Sequence, residues 1–189
     1  NDIIKKSNLN RQTLFTLKDI NKNKISIAKK KLLQINPYAN IKAFKKKITK
    51  KNLSLLNNSS IIIDASDNWM TMRLVNEYSS MQNIPLLSSS VVGFDAQLIL
   101  FLNIKNKHLC LECIFPNKEE PSLARCETVG ILGSAAGLAG IYSAQKVINF
   151  LMNFNKNNEV FTLINCKNLS INHIKVKKDS NCRLYKIKK

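Results

Sequence analysis

The sequence is poor in glycine and in acidic residues, and each shortage narrows the functions open to it. It has only 5 glycines in 189 residues, and no G-x-G-x-x-G segment occurs in it. That segment lets backbone N–H groups approach a phosphate, so the sequence as given contains no recognisable phosphate-binding loop. The sequence contains 12 Asp and Glu residues and 30 Lys and Arg residues, which gives a formal charge of +18. Such a charge suits nucleic acid, an acidic protein partner or a lysine-covered surface.

Aromatic residues are also scarce, at 7% of the chain, and no lysine run is interleaved with Phe or Tyr. Single-stranded nucleic acid is bound by stacking bases on aromatic side chains within a basic groove. The basic runs at 29–31 and 45–47 instead indicate solvated surface lysine, with an acidic protein partner as the alternative. We expect no nucleic-acid partner. The rival, a charge-driven nucleic-acid module, predicts binding with a steep salt dependence.

The sequence shows no signal peptide and no strongly apolar long run. The longest uncharged run, between Glu127 and Lys146, is rich in Gly, Ala and Ser, so we expect a close-packed buried helix and no membrane partner. Five cysteines, an odd number, argue against a secreted disulfide scaffold and favour thiol or metal chemistry in a reducing compartment. We therefore predict a cytoplasmic protein.

The length of 189 residues allows one substantial core, which predicts a single domain over 1–189. Strand and helix patterns alternate along the chain, which is typical of an α/β fold with a parallel or mixed sheet. The predicted helices cover 24–36, 49–56, 69–81 and 132–153, and the predicted strands cover 41–44, 61–63, 85–92, 96–102, 160–164 and 171–176.

One stretch joins an apolar strand to two carboxylates. The three isoleucines at 61–63 predict a buried strand covered on both faces, and Asp64 and Asp67 follow directly. Because ligands bind beyond the carboxyl ends of strands in open α/β sheets, these carboxylates are placed to meet a metal ion or a polyphosphate. The alternative is that Asp67 or Asn68 only caps the helix that begins at Trp69.

Cys110 and Cys113 form a C-x-x-C pair, which is half of a tetrahedral zinc site. The later candidate pair is Cys182-Arg183-Leu184-Tyr185, in which a tyrosine stands where the second sulfur is needed. Cys166 and His173 would supply a replacement ligand only by an unusual arrangement. A redox pair is a further possibility, although such pairs usually open a helix after a strand. Zinc, redox chemistry and an empty site all remain open.

Cys126 lies beside Arg125 just before the predicted long helix, where positive potential favours a thiolate; the alternative is an inert free cysteine. Glycines 130, 133, 137 and 140 cluster at the start of that helix. Glycine within a helix costs about 1 kcal/mol relative to alanine, so we expect close packing against a sheet or a second copy to offset this loss.

Taken together, these segments resemble the ThiF/MoeB family of ubiquitin-activating-like adenylyltransferases, which act on small sulfur-carrier proteins. The order and spacing of the segments agree from end to end, so the resemblance covers essentially the whole chain. The segments that carry it are Ser7-Asn8-Leu9-Asn10-Arg11-Gln12, Lys24, Ile35-Asn36-Pro37, Asp64-Ala65-Ser66-Asp67-Asn68, Val91-Val92-Gly93-Phe94-Asp95-Ala96-Gln97, Cys110 with Cys113, and Arg125-Cys126-Glu127-Thr128-Val129-Gly130.

The resemblance implies a Rossmann-like fold and ATP-dependent adenylylation of the carrier's C-terminal glycine, with release of pyrophosphate. It implies that Asn8, Arg11 and Lys24 hold the triphosphate. It also implies that Asp67, beside Asn68 in the nucleotide site, binds Mg²⁺. These residue types suit the reaction, because a carboxylate that attacks a phosphate needs cations to neutralise the developing charge.

The resemblance also assigns Cys126 as the family's reactive cysteine, which in some members takes part in sulfur transfer through a covalent link to the carrier. It places a zinc ion at Cys110, Cys113 and Cys182, with Tyr185 at the fourth ligand position. Relatives without the metal exist, so the tyrosine bears on the cofactor rather than on the family.

Two further expectations concern the whole protein. The glycine-rich loop and the first βαβ unit are expected upstream of Asn1, so the chain as given is expected to bind ATP poorly. We expect a homodimer formed through the sheet edge and helices. The segments at 14–16, 92–94 and 116–121 favour the thiamine-thiazole branch, ThiF type, over the molybdopterin-synthase branch, MoeB type. A non-catalytic remnant that binds a ubiquitin-like partner is the remaining alternative.

Overall fold

The computed structural model describes residues 2–103, 109–116, 130–154 and 160–184. The chain forms two compact units, Asn1–Ile48 and Thr49–Lys189. None of the described helices is both long enough and apolar enough to cross a membrane.

The first unit contains a short antiparallel backbone pairing. The N–H of Ile4 donates to the carbonyl of Lys22 at 3.0 Å, and the N–H of Asn21 donates to the carbonyl of Ile4 at 2.9 Å. Ile4 is fully buried, and short 3₁₀ turns at Lys6–Asn8 and Leu17–Asp19 follow it. The pairing fixes the beginning of the unit against the start of its helix.

Helix α1 covers Lys24–Ile35, as predicted. It begins where the Asn23 side chain accepts a hydrogen bond from the N–H of Ser26, and it ends before Pro37, which disfavours a helical residue before it. The predicted strand at 41–44 is wrong. These residues pair with no strand in the described chain and lead into the lysine run at 45–47, so the backbone lacks the partner that a strand requires.

The second unit holds a five-stranded mixed sheet, which confirms the predicted sheet type. In the order β1-β2-β3-β4-β5, the first pair is parallel and the other three are antiparallel. Each strand lies within two residues of its predicted position. The strands are β1 (Ile62–Asp64), β2 (Leu86–Val92), β3 (Asp95–Phe101), β4 (Val160–Asn165) and β5 (Ser170–Lys175).

The described residues of this unit form three α-helices: α2 (Trp69–Gln82), α3 (Leu111–Ile114) and α4 (Gly133–Leu151). A 3₁₀ helix, Lys50–Leu56, occupies the predicted helical segment before β1. Helix α2 is the crossover that makes β1 and β2 parallel, since it returns the chain to the same end of the sheet. Helix α4 packs Ala139 against Ala96, Leu98 and Ile164 of the sheet.

Two expectations about burial are wrong. Ile63 in β1 is 53% exposed, so within this structure the strand is covered on one face only. Helix α4 is half-buried rather than buried, because only its face with Ala135, Ala139 and Ser143 is covered. A Cβ placed on Gly137 or Gly140 would meet no atom within 4 Å, so packing within the chain does not explain these glycines.

Candidate functional site

At the carboxyl end of β1, Asp67 and Asn68 have different contacts. The sequence left open which of them caps α2 and whether Asp67 is available to bind a cation. The Asn68 side chain accepts hydrogen bonds from the N–H of Thr71 at 2.9 Å and from its hydroxyl at 3.1 Å, so Asn68 is the N-cap of α2. Asp67 is exposed, and it makes no hydrogen bond or ion pair with any described residue. The Asp67 carboxylate is therefore accessible to a cation.

Asp64 differs from Asp67 because its carboxylate is turned inward and only 6% of the residue is exposed. One oxygen accepts a hydrogen bond from the N–H of Ser66 at 3.0 Å, while the other is buried without a partner in the described chain. Burial raises the pKa of the Asp64 carboxyl, and the hydrogen bond only partly opposes this rise. Of the two predicted carboxylates, Asp67 alone is exposed to solvent.

Asn8 and Arg11 belong to the first unit, and both are engaged locally. Asn8 is buried, and its side-chain oxygen accepts a hydrogen bond from the N–H of Lys5 at 3.1 Å. The guanidinium of Arg11 donates to the carbonyl of Ser7 and to the side-chain oxygen of Asn10, each at 3.0 Å. Asn8 thus fixes the turn from which Arg11 extends.

Lys24, the first residue of α1, is held by Asp2. Its N–H donates to the Asp2 carbonyl at 3.0 Å, and its ammonium forms an ion pair with the Asp2 carboxylate. The hydrogen bond from Lys24 lowers the pKa of Asp2. Asp2 was not among the residues predicted from the sequence, although an acidic residue just before the 7–12 segment was a visible signal for a partner to Lys24.

Three cysteine sulfurs converge in the second unit and form what we call the thiol cluster: Cys110, Cys113 and Cys182. The Cys110 sulfur lies 3.8 Å from that of Cys113 and 3.4 Å from that of Cys182, and all three lie within 4.8 Å of one another. Cys110 and Cys182 are almost completely buried. The structure thus brings together the three predicted zinc ligands that it describes.

Two local turns present these sulfurs. Cys110 precedes the single turn of α3, and the N–H of Cys113 donates back to its carbonyl at 3.0 Å. The N–H of Cys182 donates to the carbonyl of Asp179 at 3.2 Å. A hydrogen bond from Cys110, together with one from the N–H of Asp179, lowers the pKa of Cys113 below that of an ordinary thiol. The pKa of Cys110 is raised by its bond to Cys113 and by burial.

The donor set of the thiol cluster fits zinc in three of four positions. Zinc–thiolate bonds of about 2.3 Å place the sulfurs of a tetrahedral site about 3.8 Å apart, close to the observed spacings. Neither replacement candidate joins the cluster. Cys166 packs against the Ala96 and Leu98 core, and the Nδ1 of His173 lies 3.2 Å from the Thr162 hydroxyl. The predicted fourth position, Tyr185, lies outside the described residues, as does Cys126.

A buried carboxylate with two arginines lies beside the thiol cluster. The Glu112 carboxylate accepts hydrogen bonds from Arg73 and Arg183, each at 2.9 Å. These charged residues were not predicted from the sequence. Two of them were nevertheless marked by the cysteines, because Glu112 lies within the C-x-x-C pair and Arg183 directly follows Cys182. A cavity of about 130 Å³ lies between these charges and Cys182, and Asp179 and Asn181 also line it.

Comparison with known proteins gives both sequence and structural relatives. The ThiF family model matches residues 1–184. The sulfur carrier protein ThiS adenylyltransferase of Escherichia coli (strain K12) is 32% identical over 151 residues, which cover 79% of this chain and 59% of that protein. A sulfur carrier protein adenylyltransferase of Thermus thermophilus is 29% identical over 160 residues, or 82% of this chain and 59% of its own length.

The crystal structure of E. coli MccB with ATP resembles this fold with a TM-score of 0.81 and 21% identity, and the match covers 97% of this chain and 57% of that one. It confirms the predicted Rossmann-like architecture. The chain spans less than two thirds of the length of each of these relatives. The family match over nearly the whole sequence, with a relative above 30% identity, shows that the chain belongs to the ThiF family.

Proposed function

We propose that the protein to which this chain belongs adenylylates the C-terminal glycine of a small ubiquitin-like sulfur carrier. The observation that carries this proposal is the family match across residues 1–184. The name of the E. coli relative specifies ThiS, which supports the thiamine-thiazole branch, ThiF type. The name of the T. thermophilus relative specifies no particular carrier, so the MoeB type is the second candidate.

In this proposal Asn8, Arg11 and Lys24 bind the triphosphate. Arginine offers a planar fork of donors to phosphate oxygens, whereas lysine offers a compact charge. Both cations have local partners in the structure: Arg11 bonds to oxygens of Ser7 and Asn10, and Lys24 pairs with Asp2. A bound triphosphate would have to compete with these contacts, and its higher negative charge favours the exchange.

Asp67 is the proposed ligand of Mg²⁺, with Asn68 beside it in the nucleotide site. Mg²⁺ prefers carboxylate oxygens and, when bound, neutralises charge on the phosphates and on the attacking carboxylate. Two observations support this role: the exposure of the Asp67 carboxylate, and its lack of partners among the described residues. Because Asn68 caps α2, the Asp67 carboxylate is not needed for that structural role within the described chain.

Cysteines have two further proposed roles. Cys126 is the proposed nucleophile for sulfur transfer through a covalent link to the carrier. Cys110, Cys113 and Cys182 would hold Zn²⁺, which supplies a cross-link between two distant segments of the chain. The four cysteines that the structure describes are free thiols, which suits a reducing compartment such as the cytoplasm.

We further propose that both compact units act as one ThiF/MoeB-like domain, since the family match runs through both. A second copy of the chain is the proposed partner of the outer face of α4. That face exposes Ile141, Ile148 and Leu151, and its exposed positions carry no charged side chain. In a chain with a charge of +18, a contact between two copies meets less like-charge repulsion on a face without exposed lysines, which favours this face.

The dimer is tested by sedimentation equilibrium. Ile148→Lys should shift the full-length protein towards monomer, because it places two like charges in a symmetric contact. Leu17→Lys, a matched change at a residue that is 69% exposed in the first unit, should leave the mass unchanged. If Ile148→Lys and the unmodified protein have equal masses, α4 does not form the dimer contact.

ATP–pyrophosphate exchange by the full-length gene product, with purified sulfur carrier, tests the activity. Asp67→Ala should reduce exchange roughly 100-fold or more, because the Mg²⁺ that would neutralise the phosphates loses its carboxylate ligand. Circular dichroism should show an unchanged fold. Asp95→Ala, which also removes an exposed carboxylate, should retain activity.

The outcomes separate the alternatives. Retained exchange in Asp67→Ala would show that Asp67 has no part in catalysis. Carrier binding without exchange in the unmodified protein would favour the non-catalytic remnant. Exchange with the carrier for molybdopterin synthesis, but not with the thiazole carrier, would assign the MoeB type.

A further inference from the structure

The first turn of α2 directly follows the turn that carries Asp67, and core packing does not hold it in place. The buried residues of α2 begin at Val75, so none of the positions 69–74 is buried. Met70, beside the helix start, is 71% exposed. A surface helix normally buries an apolar stripe along its length, whereas α2 does so only in its second half. The first turn of α2 therefore depends on other contacts for its position.

Side-chain contacts with the segment around α3 hold this turn. The Trp69 ring meets the Phe115 ring edge-on, with the two centroids 5.7 Å apart. The Arg73 guanidinium lies 5.8 Å from the centroid of the Trp69 ring, and it also donates to the Glu112 carboxylate at 2.9 Å. Edge-to-face aromatic pairs and cations over an aromatic face are both attractive, so Trp69 is held from two sides.

The spacing of these residues explains why their contacts converge. Trp69 and Arg73 are four residues apart in α2, and Glu112 and Phe115 are three residues apart at α3. Residues at these spacings lie on the same side of a helix, so each element presents one side to the other. Trp69 is the residue of this group nearest to the Asp67 turn, and it is the one that contacts both an aromatic ring and a cation.

The position of the Asp67 carboxylate depends on this turn. Asp67 makes no hydrogen bond or ion pair with any described residue, so its backbone sets its position. Asn68 joins that backbone to the helix, because its carbonyl accepts a hydrogen bond from the N–H of Met72 at 3.0 Å and its side chain accepts one from the N–H of Thr71 at 2.9 Å. Movement of the first turn would thus move Asp67. A displacement of about 1 Å in an active site can reduce the rate about 100-fold.

We propose that Trp69 is a positioning residue for Asp67: its ring, held by Phe115 and Arg73, fixes the first turn of α2 and with it the carboxylate that would bind Mg²⁺. The inference rests on the proposed function, since that function gives Asp67 its role as metal ligand. It adds that Phe115, which lies in a separate segment of the chain, supports Mg²⁺ binding through Trp69 and without contact to the metal.

The dependence of ATP–pyrophosphate exchange on free Mg²⁺, measured on the full-length protein with saturating ATP and sulfur carrier, tests this role. Trp69→Ala and Phe115→Ala should each raise the Mg²⁺ concentration for half-maximal exchange about tenfold, with a smaller loss of rate at saturating Mg²⁺. The double variant should be no worse than either single variant, because each removes the same contact. Trp69→Phe should retain the unmodified value, since a phenyl ring can still meet Phe115 edge-on.

Phe161→Ala is the matched control for a general loss of stability. Phe161 is also a half-buried aromatic residue, but it lies in β4, three strands away from β1 in the sheet. Its removal should lower the urea midpoint and leave the Mg²⁺ dependence unchanged. Amide hydrogen exchange gives a second readout. The amides of Thr71 and Met72, which are bonded to Asn68, should exchange about tenfold faster in Trp69→Ala and at the unmodified rate in Phe161→Ala.

Several results would overturn the inference. One is an unchanged Mg²⁺ dependence in Trp69→Ala, which would leave the proposed function intact. Another is an equal change in Trp69→Ala and Phe161→Ala, because general destabilisation would then account for both. A third is a Trp69→Phe protein that behaves like Trp69→Ala, which would show that the ring contact does not hold the turn. Absence of exchange in the unmodified protein would instead remove the proposed function, and this inference with it, before any variant is compared.

Discussion

The thiol cluster and the carboxyl end of β1 lie in the same unit and differ in how their polar groups are satisfied. Cys110 contacts two other sulfurs, and Glu112 binds two arginines, so each group has partners within the chain. At the end of β1, Asp67 has no partner in the described chain, and one oxygen of Asp64 is buried without one. Folding alone thus assembles the first region, whereas the second retains a carboxylate that is accessible to a cation.

The largest effect expected from this contrast is on stability at Glu112. Glu112→Ala should lower the free energy of unfolding by about 3 kcal/mol or more, since it leaves two arginines beside a buried site without their common partner. Urea denaturation measures the change. The matched control is Glu77→Ala, which removes a more exposed partner of Arg183 and should cost less than about 1 kcal/mol.

Glu112→Ala and Glu77→Ala also test whether the thiol cluster is more tightly held by its partners than the protein surface is. Equal losses for Glu112→Ala and Glu77→Ala would show that burial adds nothing at Glu112, and the cluster would then be no more constrained than the surface. A loss of metal binding by the thiol cluster in Glu112→Ala, but not in Glu77→Ala, would show that the Glu112–arginine pairs hold the sulfurs in position.

A smaller effect distinguishes two adjacent residues at the end of β1. Asn68→Ala should destabilise the protein by about 1 kcal/mol through loss of the α2 cap, whereas Asp67→Ala should change stability by less than about 0.5 kcal/mol. Asn68→Asp should retain the cap, because aspartate accepts the same hydrogen bond from Thr71. Thermal unfolding of the three variants measures these differences.

Asn68→Asp also tests the nucleotide site. If Asn68 lies beside bound phosphate, the added charge should reduce pyrophosphate exchange without loss of stability. Full exchange activity in a stable Asn68→Asp protein would restrict Asn68 to its role as a cap. A stability loss in Asp67→Ala as large as that in Asn68→Ala would contradict the separation of roles at this turn.

The sequence predicted those elements whose residue pattern is set by local contacts. Helix α1 could be predicted to end before Pro37, and β2 and β3 could be located on either side of the turn at Gly93, because proline and glycine restrict or permit local backbone conformations. The strand predicted at 41–44 was wrong because its apolar residues were counted without a partner strand. A strand is stabilised by its neighbours rather than by its own composition.

The site was predicted only in part, for a similar reason. The cysteine spacing identified Cys110, Cys113 and Cys182, and the structure brings their sulfurs together. The sequence could not decide whether Asp67 or Asn68 caps α2, since both residue types cap helices well. The pairing of Glu112 with its arginines was missed because it joins residues far apart in sequence, where residue type alone identifies no partner.

The smallest expected effect concerns two buried carboxylates with opposite pKa shifts. The hydrogen bond from Lys31 is the main cause that lowers the pKa of Asp19 from 3.8 to about 2, while burial raises that of Asp64 above 3.8. Folded protein releases the Asp19 proton more readily than unfolded protein does, so this contribution to stability is lost as pH falls from 3.8 towards 2. For Asp64 the folded state retains the proton longer, so stability is lost as pH rises above 3.8.

Urea midpoints between pH 2 and pH 6 test this opposition, with each variant as the control for the other. Asp19→Asn should remove part of the decrease in urea midpoint that occurs as pH falls below 3.8. Asp64→Asn should remove a decrease in urea midpoint that occurs as pH rises above 3.8. The urea midpoints also test whether a cation binds the unpaired oxygen of Asp64. If a cation neutralises that carboxylate in the complete protein, the decrease in urea midpoint above pH 3.8 should disappear when Mg²⁺ is added. A profile of Asp64→Asn parallel to that of the unmodified protein in metal-free buffer would show that burial does not perturb this carboxyl.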